Sequence, residues 1–128
     1  MIKKEVKTNN SPEAIGPYSQ AISCNDFLFI SGQIPIDLNT GKIISDDFEK
    51  QALQCLENIK GILDEKKLNL NSILKLTVFL TDLNNFDLLN KVFEIFFSKT
   101  TFPARAAVQV SRLPKDAKVE IDAICFEK

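Results

Sequence analysis

Apolar residues recur along this chain with two different periods, and each change of period marks a new element. Short stretches alternating in twos, bounded by turn residues, predict strands over Ile2–Lys7 and about 18–23, 27–31, 73–80, 104–111 and 118–126. Ser11-Pro12 and Gly16-Pro17 break the chain, so residues 8–17 read as a loop. Asn25-Asp26 and Asn39-Thr40-Gly41 are turn signals. Phe48, Ala52, Cys55, Leu56, Ile59, Ile62 and Leu63 instead recur at helical spacing, one apolar stripe on a helix of about 46–66. Asp46 and Asp47 suit its start, and Lys66 and Lys67 its end. A second helix of about 84–98, capped by Asp82 or Asn84, carries Phe86, Leu89, Phe93, Phe96 and Phe97, and Pro103 bars its continuation.

Strands on both sides of two helices predict an α+β fold, a mixed sheet of five or six strands with two helices on one face. The opposite face would carry Phe79, Ala106, Val108 and Val110 or their alternates. A bare apolar sheet face predicts association with another copy. The last two strands, joined at Leu113-Pro114-Lys115-Asp116, read as a hairpin that sets Glu120 nearer Gln109 than Arg105.

At 128 residues, with 45% hydrophobic and 26% charged, the chain suits a single globular domain, 1–128. Its net charge of −1, spread evenly, offers no basic field for nucleic acid. The apolar stretch near Met1–Val6 is too short for a membrane span or signal peptide, so the expected location is cytoplasmic; an organelle stays open if a transit peptide has been removed. Cys24, Cys55 and Cys125 form no CxxC and signal neither zinc nor a redox pair. The chain has no histidine, which removes Ser-His and Cys-His dyads and imidazole metal sites. Catalysis here must run on Arg, Lys, carboxylate, Tyr, hydroxyl or backbone groups, and no cofactor or metal is expected.

Several segments, in order, carry a resemblance. They are Ala14-Ile15-Gly16-Pro17-Tyr18-Ser19-Gln20, Ser31-Gly32-Gln33-Ile34-Pro35 and Thr77-Val78-Phe79-Leu80-Thr81-Asp82-Leu83, then Phe102-Pro103-Ala104-Arg105-Ala106-Ala107, Arg112-Leu113-Pro114-Lys115 and Val119-Glu120-Ile121. Together they resemble the reactive intermediate deaminase family, also called Rid or YjgF-like, over nearly the whole chain. The resemblance implies a chorismate-mutase-like fold, a homotrimer whose sheets line a barrel, and sites in clefts between subunits. It implies hydrolysis of 2-aminoacrylate, 2-iminobutanoate and 2-iminopropanoate to 2-keto acids and ammonia, which protects pyridoxal-phosphate enzymes.

That substrate pairs a carboxylate with an electrophilic C=N carbon. Arg105 suits the carboxylate, because guanidinium grips it through two parallel N–H bonds. Glu120 is the candidate to hold or deprotonate the attacking water. Either a bulged pairing or a subunit boundary must bring Glu120 to Arg105. Tyr18 is a candidate to cap the pocket, and Gly32 is a strand end where backbone approaches a ligand. The resemblance sets Asn90 at the cleft and a backbone group of Ala107 on the imine nitrogen, where some relatives have Cys. Two other readings stay open: an endoribonuclease or translation inhibitor, which lacks a basic patch here, and a non-catalytic trimer that binds keto acids or acts as a chaperone. The bland readings are a surface ion pair for Arg105, an ion pair with Lys118 for Glu120, and core for the five phenylalanines of 86–102.

Overall fold

The last strand of the chain sits inside the sheet, not at its edge. In the computed structural model, which describes residues 2–128, six strands run in the order β1-β2-β3-β6-β4-β5. They are β1 (Lys3–Val6), β2 (Ala21–Cys24), β3 (Phe27–Gln33), β4 (Ile73–Leu80), β5 (Ala104–Gln109) and β6 (Val119–Phe126). Helices α1 (Phe48–Glu65) and α2 (Phe86–Phe96) pack on one face. β4 and β5 are parallel, and the other neighbours are antiparallel. The α+β class, the mixed sheet and the single helical layer agree with the sequence expectation.

The expected hairpin of the last two strands does not form. β6 pairs with β3 on one side and β4 on the other, so β4 separates it from β5. The burial pattern explains the placement. Val119, Ile121, Ala123 and Cys125 are all nearly inaccessible, which requires neighbours on both edges and a helix above. β5, with its alanines and half-exposed pattern, tolerates the sheet edge.

The α1 stripe is buried as its spacing predicts, and Asp47 caps the helix by accepting the Lys50 N–H at 2.9 Å. Lys66 caps the other end, and Lys67 follows in the left-handed region at φ 57°. α2 is shorter than its pattern suggests. Asp82 caps a 3-10 turn over Leu83–Asn85, and the α-helix proper starts at Phe86. Leu89, Val92, Phe93 and Phe97 turn inward, whereas Phe86 and Phe102 are exposed at 38% and 58%. Those two phenylalanines are therefore not core, contrary to expectation.

The opposite face has no helical layer. Phe27, Phe29, Val108 and Phe126 lie open on it, with Phe27 packed edge-on to Phe126. Only one end is covered, where Ile34, Ile36, Leu113 and Ala117 pack against Phe79 and Val110. Cys55 and Cys125 are buried free thiols; burial pushes Cys125 up to about 12 and Cys55 upward too, so neither ionises near neutral pH. No helix among the described residues is long and apolar enough to cross a membrane.

Candidate functional site

Arg105 lies on edge strand β5, paired with Leu76 of β4 and therefore on the helical face. Its guanidinium stacks on two rings of α2, with the central carbon 5.2 Å from the Phe86 centroid and 5.0 Å from that of Phe93. Phe86, Asn90 and Phe93 fall on one helix face by their spacing, so the helix that carries the rings also brings Asn90 there. Asn90, Phe93, Glu94, Phe102, Pro103 and Arg105 line an open cavity of about 230 Å³. Among the described residues no carboxylate pairs with Arg105. Partial burial lowers its pKa, with no counter-ion to offset it. The surface ion-pair reading of Arg105 fails on this geometry. Ala107, two residues on, shares its face and packs against the core.

Glu120 belongs to a different place. It pairs with Phe79, on the open face, and its carboxylate fills the space where Gly32 lacks a side chain. A Cβ at Gly32 would stand 2.9 Å from Glu120 Cδ and collide with the carboxylate. The missing side chain therefore makes room for Glu120 first, a use that strand-end reasoning did not anticipate. Gly32 and Tyr18 line one narrow cavity with Ile15, Ile34 and Ile36. The Tyr18 hydroxyl accepts the Ile15 N–H at 3.2 Å, which folds the ring back onto its own loop. Lys118, the expected ion partner of Glu120, instead donates to the Asp46 carbonyl at 2.5 Å. Burial, then the neighbouring Asp122, pushes the Glu120 pKa up. A carboxylate so placed is a better proton acceptor than a solvated one.

The six expected residues thus fall into two groups. Arg105, Asn90 and Ala107 form one, and Tyr18, Gly32 and Glu120 the other. Arg105 and Glu120 lie on opposite faces and two strands apart, with Cα atoms about 14 Å apart on ordinary sheet spacings. The bulged hairpin pairing that could have joined them does not exist, because β4 lies between β5 and β6. One chain does not bring the two groups together.

Sequence reasoning missed the aromatic cradle of Arg105 and the Asp122 beside Glu120. An asparagine interrupting an aromatic helix stripe, as Asn90 does, was the available signal for the first. Alternation along β6, which puts Asp122 on the Glu120 face, was the signal for the second. A larger cavity, about 510 Å³, opens on the other side of Tyr18, but Glu5, Glu13 and Glu65 outnumber Lys7 on its walls, the wrong sign for a carboxylate ligand.

The family model described as endoribonuclease L-PSP matches residues 8–127. A RutC family protein of Pyrococcus horikoshii is 50% identical over 127 residues, which is 99% of this chain and 100% of that one. The 2-iminobutanoate/2-iminopropanoate deaminase of Salmonella typhimurium is 45% identical over 129 residues, with 99% and 100% covered. Among solved structures, the YjgF gene product of E. coli superposes with a TM-score of 0.93 at 44% identity, covering 98% of this chain and 99% of that one. E. coli TdcF with bound serine gives 0.93 at 45%, with the same coverage. A Thermotoga maritima protein described as a putative endoribonuclease gives 0.93 at 39%, covering 99% of each. Sequence motifs, sheet order and these full-length matches agree: the chain belongs to the endoribonuclease L-PSP family, the Rid/YjgF proteins.

Proposed function

We propose that this protein hydrolyses small 2-imino and 2-enamino acids, such as 2-aminoacrylate, 2-iminobutanoate and 2-iminopropanoate, to 2-keto acids and ammonia. The observation that carries this reading is the Arg105 guanidinium, stacked on two rings, partly buried and left without a carboxylate partner. A substrate carboxylate would supply the missing counter-ion through a bidentate contact. The name of the Salmonella relative and the serine bound to TdcF, itself an amino acid with an α-carboxylate, point the same way.

The working site is then composite. In a homotrimer, the Arg105, Asn90 and Ala107 group of one copy meets the Tyr18, Gly32 and Glu120 group of the next, and the bare sheet faces turn inward as a barrel. Arg105 holds the carboxylate, and the Ala107 backbone holds the imine nitrogen. Glu120 takes a proton from water as the oxygen attacks the C=N carbon. Glu120 passes that proton to the nitrogen to give the carbinolamine, and the hydroxyl proton follows as the C–N bond breaks and the keto C=O forms, so ammonia leaves with both protons of the water. An enamine such as 2-aminoacrylate first moves a proton from nitrogen to its β-carbon, which turns it into the imine. Such imines hydrolyse unaided, so orientation and one ordered water meet the energetic demand without a cofactor or metal. In a cell, this clears species that damage pyridoxal-phosphate enzymes.

The test generates 2-iminobutanoate in place with a threonine dehydratase and follows keto-acid release. Wild-type protein accelerates release. Arg105→Ala loses about 1.5–3 kcal/mol of binding to the transition state, or about 10- to 150-fold in kcat/KM. No acceleration by the wild type ends the deaminase reading. Full activity of Arg105→Ala ends the role given to that residue.

A further inference from the structure

The loop that carries Tyr18 has almost no backbone ladder of its own. β1 ends at Val6, and within residues 8–18 the backbone pairs with itself only where Tyr18 N–H meets the Gly16 carbonyl at 2.8 Å. The Asn10 and Ile15 N–H groups are met by the Thr8 and Tyr18 hydroxyls, and four further backbone groups are met by one side chain. Gln20 is 6% exposed. Its carbonyl oxygen accepts the Thr8 N–H at 2.8 Å. Its two N–H groups are shared among the carbonyls of Thr8, Ser11 and Pro12 at 3.1, 3.3 and 2.9 Å. The backbone of the same residue faces the other way, where its carbonyl accepts the Ser31 N–H at 3.0 Å, one residue from Gly32. The Ser31 hydroxyl donates to the Ser19 carbonyl at 2.6 Å, next to Tyr18.

We infer that Gln20 is a positioning residue that fixes Tyr18 against Gly32, and through Gly32 against Glu120; its effect on catalysis rests on the deaminase reading. The geometry leaves little redundancy. A buried amide that satisfies four backbone groups imposes one arrangement on them, and its removal leaves those groups buried and unpaired. Ser11 Oγ donating to the Asn58 carbonyl at 2.5 Å is a second anchor, but it ties residue 11 to α1, whereas Gln20 ties residues 8–12 to the start of β2, two residues after Tyr18.

The composition supplies a direct reporter, since Tyr18 is the single tyrosine and there is no tryptophan. Tyrosine fluorescence and its quenching by acrylamide therefore read this residue alone. Gln20→Met keeps the volume and deletes all four bonds. Gln20→Glu, the gentler change, keeps an acceptor for Thr8 and loses the paired donors, and it replaces the methionine variant if that one does not fold. Gln51→Met is the matched control, because Gln51 is another buried amide, bonded to Ser45 and Lys118 on the opposite end of α1.

All measurements are made below the melting temperature of every variant. The expected result is that the Gln20 variant raises the acrylamide quenching constant of Tyr18 about twofold or more, while Gln51→Met leaves it at the wild-type value. The Gln20 variant also lowers kcat/KM about tenfold, yet costs almost nothing further in a Tyr18→Phe background, the non-additivity of two residues acting as one. Unchanged quenching, or equal losses in both backgrounds, overturns the inference. The fluorescence arm needs no substrate. Should the wild type fail to hydrolyse imines, the deaminase reading falls, while the placement of Tyr18 by Gln20 stands or falls on quenching alone.

Discussion

The proposed chemistry rests on two ionisable residues, and the fold treats them in opposite ways. Arg105 is stacked, partly buried, on a pair of rings and keeps its charge, since a guanidinium does not lose its proton in this range. Glu120 is held beside Asp122 in partial burial, which lifts its pKa above the usual glutamate range. The sign of two effects follows. As a base, Glu120 must be ionised, so the acid limb of the kcat/KM profile should fall at a higher pH than an ordinary glutamate would give. For stability, a carboxyl whose folded pKa is raised binds its proton more tightly in the native state. Its contribution is present below the unfolded pKa and is lost as pH rises through the folded value. Glu120→Gln should therefore abolish most activity yet melt at a higher temperature than wild type at neutral pH, the gap closing below the ordinary glutamate range. A lower melting temperature at neutral pH would contradict a carboxyl whose ionised form is disfavoured by burial and Asp122.

At the scale of elements, α1 and the 8–12 loop meet closely at Gly61. Gly61 is buried in mid-helix, where alanine would ordinarily gain about 1 kcal/mol in helix propensity. A Cβ there would stand 2.8 Å from the backbone carbon of Asn10 and meet its carbonyl oxygen closer still. Gly61→Ala should thus destabilise by about 1–3 kcal/mol in a urea titration, reversing the propensity order. A neutral or stabilising result would mean that the loop moves away freely. The elements themselves were legible in the sequence. Period in Phe48–Leu63 gave α1 almost to its ends, and alternation in Ile73–Leu80 gave β4 with its limits. The strand order was not. Leu113–Asp116 reads as a hairpin turn, and the pairing of β6 with β3 and β4 shows that the connection passes β4 instead. Local pattern records which face of a strand is buried, and it says little about which strand lies alongside. The same limit hid the aromatic cradle, since Phe86 and Phe102 are as apolar as any core residue and become wall only once Arg105 is set against α2.

For the whole molecule, the division of the candidate site is the central fact. Arg105 and Glu120 were both legible from their motifs, but they face opposite sides of one sheet, and no rotamer of a half-buried side chain spans about 14 Å and the sheet itself. A face bearing Phe27, Phe29, Val108 and Phe126 in the open adds a reason for copies to meet. If the site is built from two copies, two defects in different halves can be separated onto different chains. Arg105→Ala and Glu120→Gln, each reduced about tenfold or more alone, are unfolded together in equal amounts, refolded and assayed on 2-iminobutanoate. Random assembly in a closed ring leaves both wild-type halves at about a quarter of the interfaces, so about a quarter of wild-type activity should return. A mixture no more active than its separate components would contradict a site shared between subunits.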